Sequence, residues 1–289
     1  MTRRGLLAPA LGALVSACSP LALLNGLGPR DRGAARVARD LPYGDHPRQR
    51  LDLYAPTGQG SWPTLVFFYG GGWDSGSKDL YGWAAQALAA QGFVVAMPDY
   101  RLVPEVRFPA FIEDAAAATA RAAEVVDRRG GDPSRLGVVG HSAGAHLALM
   151  ITLDRRYMAA AGKPELIRAA AGLAGPYEFL PLNVPASINA FGQAPDPRQT
   201  QPITFARADA PPIWLGHGAA DVVVHAEDTV LLGEALRRLE APVETKLYPG
   251  LKHEDLIAPF SPLFRGKAPV LEDVSAFFQR ALHGPTVGQ

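Results

Sequence analysis

A serine flanked by two glycines lies near the middle of this chain, where a strand pattern gives way to a helix pattern. Gly140-His141-Ser142-Ala143-Gly144 follows the apolar run at residues 136–139 and leads into an alanine-rich stretch. The glycines permit a sharp turn that exposes the serine hydroxyl, and the helix after it aims its first N–H groups at developing negative charge. This pattern predicts that Ser142 is a nucleophile. The alternative is a tight turn without chemical function.

A nucleophilic serine needs a base, and the seven histidines of the chain are the candidates. They are His46, His141, His146, His217, His225, His253 and His283. With the serine on a strand–helix turn, the expected chain order is serine, acid, histidine. The first three histidines come too early or too close, the next two flank the best acid, and the last is near the terminus. His253 follows the last strand pattern in a turn-rich loop, so it is the predicted base.

The base needs a carboxylate to orient it, and Asp221 has the best position. A strand pattern at residues 213–216 continues into His217-Gly218-Ala219-Ala220-Asp221, which puts Asp221 in a loop at the carboxyl end of a strand. A helix-cap or turn role would also explain an aspartate here. The competing carboxylates are Glu227, Asp228, Glu254 and Asp255. The first two lie further into the next helix, and the last two are too close in sequence to the base.

Three consecutive glycines after an earlier strand supply donors for an oxyanion. Gly70, Gly71 and Gly72 follow the apolar run at residues 64–69, and their bare backbone N–H groups can approach a substrate closely. A flexible turn is one alternative. A phosphate cradle is another, but no Lys-Ser or Lys-Thr pair follows the glycines. We therefore predict an oxyanion hole formed by the N–H groups of Gly71, Gly72 and Ala143.

The elements that must position these residues alternate along the chain between strand and helix patterns. Strand patterns fall at residues 50–54, 64–69, 93–97, 135–139, 169–173, 213–216 and 243–248, and helix patterns fall at 80–90, 109–129, 143–153, 226–239 and 269–282. Continuous apolar strands separated by helices predict an α/β fold, with a mostly parallel central sheet and helices on both faces. A proline-rich excursion at residues 175–212 interrupts the alternation, and we expect it to form a wall above the Ser142 edge of the sheet.

The composition excludes several other classes of protein. Lysine plus arginine and aspartate plus glutamate both number 28, so no basic surplus indicates a nucleic-acid partner. The single cysteine excludes a disulfide within one chain. The composition is that of a globular protein of one large domain, and no internal repeat is evident. The oligomeric state stays open.

The N-terminus has the pattern of an export signal. Arg3 and Arg4 precede an apolar stretch from Gly5 to Val15, and small residues follow before Cys18. Residues 15–18, Val-Ser-Ala-Cys, are similar to the lipobox of bacterial lipoproteins. We therefore predict a signal peptide at 1–17, a lipidated Cys18 with a tether at 18–40, and a catalytic domain at 41–289. An ordinary signal peptide, an uncleaved apolar helix and a cytoplasmic protein are the alternatives to a membrane-anchored lipoprotein facing the periplasm or cell surface.

Taken together, these motifs resemble the α/β hydrolase superfamily in its carboxylesterase branch, which includes hormone-sensitive-lipase-like, feruloyl-esterase-like and kynurenine-formamidase-like enzymes. The resemblance covers residues 41–283 and rests on Leu51-Asp52-Leu53-Tyr54-Ala55-Pro56, Gly70-Gly71-Gly72-Trp73, Asp99-Tyr100-Arg101-Leu102, Gly140-His141-Ser142-Ala143-Gly144, His217-Gly218-Ala219-Ala220-Asp221 and Tyr248-Pro249-Gly250-Leu251-Lys252-His253. One departure is Tyr69, where the family usually has a histidine that shapes the glycine loop. Asp99, Arg101 and Asp114 also match the family, and we interpret them as structural.

The resemblance implies a serine hydrolase that cleaves carboxylic esters through an acyl-enzyme, with no metal or organic cofactor. We expect a short-acyl or aryl ester as the small-molecule substrate, because no large lid domain is evident. A formamidase or amidase is the alternative within enzymes. A non-catalytic binding protein on the same fold is the alternative of another class.

Overall fold

An eight-stranded sheet runs through the part of the chain that the structure, a computed structural model, describes: residues 28–283. Its strands are β1 (Ala34–Pro42), β2 (Arg50–Pro56), β3 (Trp62–Phe68), β4 (Val94–Pro98), β5 (Gly131–His141), β6 (Ala169–Leu173), β7 (Ile213–Gly218) and β8 (Val243–Tyr248). Their order across the sheet is β1-β2-β4-β3-β5-β6-β7-β8. The seven predicted strands are all present, with boundaries shifted by a few residues.

In the order across the sheet, the strands from β4 through β8 are parallel to one another. Only β2 runs in the opposite direction, since it pairs antiparallel with both β1 and β4. Crossovers through helices produce this arrangement, because a parallel neighbour cannot be reached by a tight turn. The carboxyl ends of β3, β5, β6, β7 and β8 therefore meet at one edge. Strands β4 and β6 are buried along their whole length, as expected for strands that are covered on both faces.

Helices cover both faces of the sheet, as predicted. They are α1 (Lys78–Ala90), α2 (Ala110–Val125), α3 (Ala143–Leu153), α4 (Arg155–Ala160), α5 (Pro185–Phe191), α6 (Ala226–Arg238) and α7 (Val270–His283). Helices α1 and α7 contact each other and pack on one face, while α2 and α3 contact each other and pack on the opposite face. Short 3-10 turns fill much of the remaining chain, including the loop after β8.

The first strand begins earlier than the sequence pattern predicts. We assigned residues 18–40 to a tether, but the sheet starts at Ala34, where β1 pairs antiparallel with β2 from Ala34↔Pro56 to Pro42↔Arg50. Strand β1 lies at the edge of the sheet and most of its side chains are exposed or half-buried, so its charged residues give no apolar run to recognise. Residues 34–40 therefore belong to the sheet and not to a tether. The predicted signal peptide and Cys18 lie outside the described residues.

No helix among residues 28–283 combines the length and the apolar character that crossing a bilayer requires.

A buried ion network joins β1, β2 and α1. Asp52 is fully buried, and its carboxylate accepts hydrogen bonds from Arg36 Nη1 at 3.1 Å and from the Asp40 backbone N–H at 2.9 Å. The Lys78 ammonium, also buried, lies 3.0 Å from Asp52 Oδ1 and 2.6 Å from Asp40 Oδ1. A charge buried without a partner is costly, so the buried Asp52 and Lys78 depend on each other, whereas Arg36 and Asp40 are partly exposed to water.

We expect Asp52→Ala to lower the free energy of unfolding by about 3 kcal/mol, because it leaves the buried Lys78 with only one carboxylate partner. Urea denaturation followed by circular dichroism measures the change. Arg280→Gln, which removes an exposed pair with Glu244, is the control and should cost less than about 1 kcal/mol. Equal losses in the two variants would contradict the structural role of Asp52.

Candidate active site

Ser142 lies at the turn between β5 and α3 with a strained backbone. Its φ of 56° and ψ of −125° are values that a residue with a side chain rarely adopts. The Ser142 N–H donates to the Leu173 carbonyl at the end of β6, and its own carbonyl accepts from the N–H groups of Ala145 and His146. These bonds hold the turn in place and present the hydroxyl above the carboxyl edge of the sheet.

The two glycines that flank the serine leave no room for side chains. A Cβ at position 140 would lie 2.1 Å from the Gly144 carbonyl oxygen, and one at position 144 would lie 2.1 Å from the Phe68 carbonyl oxygen. The turn therefore packs directly on itself and on β3. This packing explains the G-x-S-x-G spacing as a steric requirement of the fold, independent of any chemistry.

The structure brings Ser142, His253 and Asp221 together in one chain of hydrogen bonds. Ser142 Oγ lies 2.8 Å from His253 Nε2, and His253 Nδ1 lies 2.7 Å from Asp221 Oδ2. Because the carboxylate can only accept, Nδ1–H is the donor and Nε2 is free to accept the serine proton. The order along the bonds is the one predicted from the sequence. All three residues are more than half buried.

Two backbone hydrogen bonds connect the loop that carries the acid with the loop that carries the base. The N–H groups of Ala219 and Ala220 donate to the carbonyls of Tyr248 and Leu251, at 2.9 and 3.0 Å. These loops follow β7 and β8, which are neighbours in the sheet. The distance between Asp221 and His253 is therefore set by the main chain as well as by the side chains.

The Asp221 carboxylate accepts hydrogen bonds on both oxygens. The N–H groups of Val223 and Val224 donate to Oδ1 at 2.8 and 3.0 Å, and Oδ2 accepts from His217 Nε2 at 3.1 Å besides His253. Burial alone would raise the pKa of Asp221, but these hydrogen bonds outweigh it and hold the pKa below its ordinary value. The acid thus stays ionised next to the imidazole.

His217 belongs to the site, although its position in the sequence excluded it as the base and predicted no other role for it. It is fully buried, its Nδ1 accepts from the Thr229 hydroxyl at 2.8 Å, and its Nε2–H points to Asp221 and to the Val224 carbonyl. It therefore orients the carboxylate and does not approach the serine. The sequence feature that could have indicated this contact is the spacing, since His217 precedes Asp221 by four residues at the end of a strand.

His141 and His146 are both buried and do not contact the serine hydroxyl, in agreement with their rejection as bases. His141 Nε2 donates to the His253 carbonyl at 3.3 Å, and His146 Nε2 donates to the Thr200 carbonyl at 2.8 Å. Burial lowers the pKa of His141 to about 3 and that of His146 to about 4. Both imidazoles are therefore neutral at neutral pH.

The glycine loop after β3 is a tight turn beside the serine. Gly71 has φ 136° and Gly72 has φ 58°, and the Gly71 carbonyl accepts the N–H groups of Asp74 and Ser75. Gly72 and Ala143 line the same cavity as Ser142, whereas Gly71 is not among the cavity's wall residues. Two of the three predicted oxyanion donors thus belong to residues that face the cavity.

Tyr69, the departure from the family pattern, is a fixed part of this loop. Its ring stacks on Tyr100 with centroids 4.7 Å apart, and its hydroxyl accepts a hydrogen bond from Arg48 Nη2 at 2.8 Å. The same guanidinium also donates to the Gly76 carbonyl. A buried tyrosine with a charged partner therefore replaces histidine as the residue that holds the loop.

Asp99, Arg101 and Asp114, which also match the family, have the structural roles that we inferred from the sequence. Arg101 forms a two-pronged ion pair with the buried Asp114, which also accepts from the Gln49 amide. Asp99 accepts the N–H of Lys78 at the start of α1. None of their hydrogen bonds involves the serine, the histidine or the aspartate of the site.

A cavity of about 670 Å³ opens above Ser142, and the excursion at residues 175–212 supplies much of its wall, as expected. The wall residues from the excursion are Pro176, Glu178, Phe179, Leu180, Pro181, Asn183, Val184, Ala186 and Ser187. The opposite wall comes from residues 222–231, after the acid. Within residues 28–283, no group of three or more histidine, cysteine, aspartate and glutamate side chains is placed to hold a metal ion.

Residues 51–236, more than half of the chain, match the family model described as BD-FAE. The chain belongs to the BD-FAE family. This confirms the resemblance to the carboxylesterase branch of the α/β hydrolases that the motifs indicated. The match extends over all but the first and last strands and the last helix of the described fold, and it includes Ser142 and Asp221 but ends before His253.

Relatives of this BD-FAE member are named esterases. "Isoprenylcysteine alpha-carbonyl methylesterase ICME" of Arabidopsis thaliana is 30% identical over 262 residues, which cover 83% of this chain and 61% of the relative. "Esterase LipC" of Mycobacterium tuberculosis is 33% identical over 222 residues, covering 69% and 55% of the two chains. The chain thus spans about three fifths of the length of these curated relatives.

A solved structure described as a "truncated form of carbohydrate esterase from gut microbiota" has the same fold. It superposes with a TM-score of 0.76 over 89% of this chain and 100% of its own, at 21% sequence identity. At that identity the likeness establishes the α/β-hydrolase fold and nothing about the substrate.

The lowered pKa values of His141 and His146 predict a loss of stability in mild acid. Their pKa values in the folded protein lie below the ordinary value of about 6.5, so the unfolded chain binds more protons as the pH falls. We expect full stability above about pH 6.5 and, below it, a loss of about 1.4 kcal/mol per pH unit for each histidine until it protonates in the folded state. His146→Gln keeps a donor for the Thr200 carbonyl. It should reduce the dependence of the free energy of unfolding on pH by the contribution of one histidine.

Urea denaturation at several pH values between 4 and 8 measures this slope. Gln279→Ser, which changes an exposed residue without a titratable group, is the control and should leave the slope unchanged. The same slope in the unsubstituted protein and in His146→Gln would contradict the prediction.

Proposed function

We propose that this protein hydrolyses carboxylic esters through an acyl-enzyme formed on Ser142. The observation that carries the proposal is the continuous set of hydrogen bonds from Ser142 Oγ through His253 to Asp221, located at the base of an open cavity. A serine hydroxyl paired with an oriented imidazole is an activated nucleophile. Membership of the BD-FAE family and the esterase names of the relatives support the same reaction class.

The first half of the proposed reaction acylates the serine. Ser142 Oγ attacks the carbonyl carbon of the ester while His253 Nε2 takes the hydroxyl proton, and the ionised Asp221 stabilises the imidazolium. The tetrahedral intermediate then collapses as the imidazolium gives the proton to the leaving alkoxide. The alcohol departs and the acyl group remains on the serine.

The second half releases the acid. A water molecule gives a proton to His253 Nε2 and attacks the acyl carbon, and collapse of the second intermediate returns the proton to Ser142 Oγ. The same imidazole therefore acts as base and acid in both halves. No metal or organic cofactor has a role in these reaction steps.

The oxyanion of both intermediates would be stabilised by backbone N–H groups of Gly71, Gly72 and Ala143. Ala143 is the first residue of α3, where N–H groups have no partner within the helix and the helix dipole favours negative charge. The location of Gly72 and Ala143 on the cavity wall beside Ser142 supports their share of this role. For Gly71 the support is its position next to Gly72 in a tight turn, in which its carbonyl accepts the N–H groups of Asp74 and Ser75.

The names of the relatives guide the choice between ester and amide. One relative is named a methylesterase and another an esterase, and both share at least 30% identity with this chain over aligned segments that cover more than two thirds of it. These names favour the ester over the formamide alternative. The substrates of the longer relatives do not transfer with them, because the chain spans only part of their length.

We expect Ser142→Ala to lower the hydrolysis of p-nitrophenyl acetate by about 10⁴-fold or more and to abolish labelling by a fluorophosphonate probe, because both need the nucleophile. Ser134→Ala, at the opposite end of β5, is the matched control and should retain activity and labelling. Retained labelling of Ser142→Ala would rule out this serine as the nucleophile. A chain that is never labelled would favour a non-catalytic binding protein on the same fold.

We also propose that the protein is exported and anchored through a lipidated Cys18, facing the periplasm or cell surface. The basic start, the apolar stretch and the Val-Ser-Ala-Cys sequence at 15–18 support this. The chain just ahead of β1 is held to the domain, because Arg265 forms a two-pronged ion pair with Asp31 at 2.6 and 2.9 Å. A tether would thus lead from Cys18 to a fixed point on the domain.

Expression in a bacterial host tests the anchor. We expect the unsubstituted chain to fractionate with membranes and to incorporate radiolabelled palmitate, and Cys18→Ser to lose both properties, because the thiol is the site of lipid attachment. Ser19→Ala is the control and should keep both. Equal fractionation and labelling of the Cys18→Ser and unsubstituted chains would contradict lipidation.

A further inference from the structure

Exposed apolar side chains gather at the mouth of the cavity. Among the described residues, ten large apolar side chains are exposed, and four of these ten line the cavity above Ser142. These four, which we call the mouth residues, are Val184 (51% exposed), Val222 (81%), Val223 (63%) and Leu231 (42%). Apolar surface left open to water at a binding cavity indicates contact with a ligand.

Two of the mouth residues are held outward by the loop that carries the acid. The N–H groups of Val223 and Val224 are bonded to Asp221 Oδ1, and the Val224 carbonyl faces His217. The main chain of this loop therefore cannot turn its valines inward without releasing the carboxylate. Their exposure is a fixed feature of the site.

The opposite side of the mouth is equally well anchored. Val184 immediately precedes α5, and Phe191 at the end of that helix packs edge-on against Trp73 with ring centroids 4.7 Å apart. Trp73 follows the glycine loop and lines the cavity beside Ser142. The apolar rim is thus connected on both sides to the residues of the proposed reaction.

The size of the cavity exceeds what a small acyl group needs. Its volume of about 670 Å³ falls within the range of about 300–1,000 Å³ that binds drug-sized ligands, and an acetyl group would fill only a small part of it. The charged wall residues are the carboxylates of Glu178, Glu227 and Asp228, and the part of the wall formed by residues 28–283 includes no lysine or arginine. A ligand with a negative charge would meet repulsion here without any compensating cation.

We propose that the substrate is an ester with a large uncharged apolar group, of about eight carbons or more, which lies across the mouth residues while the carbonyl sits at Ser142. This inference rests on the proposed esterase function and makes it specific. A large group in the acyl part would replace the expectation of short acyl chains, whereas a large group in the alcohol part is compatible with it. The apolar group belongs either to the acyl or to the alcohol part of the ester.

Three eight-carbon esters test the proposal: p-nitrophenyl octanoate, octyl acetate and the mono-p-nitrophenyl ester of octanedioic acid. The reference is p-nitrophenyl acetate for the two p-nitrophenyl esters and ethyl acetate for octyl acetate, because the leaving groups are then of the same kind. We expect kcat/KM to be at least tenfold higher for p-nitrophenyl octanoate than for p-nitrophenyl acetate, or for octyl acetate than for ethyl acetate. The ester whose kcat/KM rises shows whether the acyl part or the alcohol part of the substrate lies at the mouth. The ester with a terminal carboxylate should fall at least tenfold below p-nitrophenyl octanoate.

Substitutions at matched exposed leucines connect this preference to the mouth. Leu231→Asn should lower the ratio of kcat/KM for the preferred eight-carbon ester to that for its two-carbon reference ester by about fivefold. Leu239→Asn should leave the ratio unchanged, because Leu239 is equally exposed (41%) at the end of the same helix but does not line the cavity. Val223→Thr, which preserves the side-chain shape and the backbone bond to Asp221, should lower the ratio in the same direction.

Four outcomes would overturn the inference. An unchanged ratio in both Leu231→Asn and Val223→Thr, or equal hydrolysis of acetate and eight-carbon esters, would show that the mouth does not bind the substrate. A change of particle mass in Leu231→Asn, measured by light scattering, with no change of ratio would identify the mouth as a contact between copies of the chain. Failure to hydrolyse any of the esters, p-nitrophenyl acetate included, would remove the proposed function and this inference with it.

Discussion

The strained backbone of Ser142 is the constraint on which the rest of the site depends. A φ of 56° with a ψ of −125° costs about 1–3 kcal/mol, and the surrounding structure must supply that energy. It does so by close contact: positions 140 and 144 have no room for a Cβ, and the N–H of Ser142 is bonded to β6. Strands β3, β5 and β6 thus contact the start of α3 at the Ser142 turn. These backbone contacts determine the position of the Ser142 hydroxyl without any contribution from the acid or the base.

The acid and the base reach that hydroxyl because of the order of the strands. Strands β7 and β8 are neighbours, so the loops after them start side by side at the same edge as Ser142. Backbone hydrogen bonds between these loops then hold Asp221 within 2.7 Å of His253. A parallel sheet thereby converts residues more than a hundred positions apart in sequence into one hydrogen-bonded unit, with His217 as an additional support for the acid.

The sequence predicted the parts of the fold whose cause is local. Buried strands are apolar runs and the nucleophile turn needs its glycines, so both leave a pattern that is readable without a structure. Strand β1 was missed because an edge strand with exposed charged side chains lacks an apolar pattern. The role of His217 and the composition of the mouth were missed for another reason. The role of His217 and the composition of the mouth depend on which loops the sheet brings together. A short stretch of sequence does not contain that information.

The chemistry and the specificity of this site are supported by different atoms of the same segment. Residues 221–224 hold the acid through backbone N–H groups, while Val222 and Val223 face the mouth with their side chains. Because the bonds to Asp221 do not involve those side chains, the mouth can change its shape and polarity without moving the carboxylate. The excursion at residues 175–212 has the same freedom, since it contributes walls but none of the hydrogen-bonded groups at Ser142. A family that keeps one reaction can therefore vary its esters through residues that sequence motifs do not include.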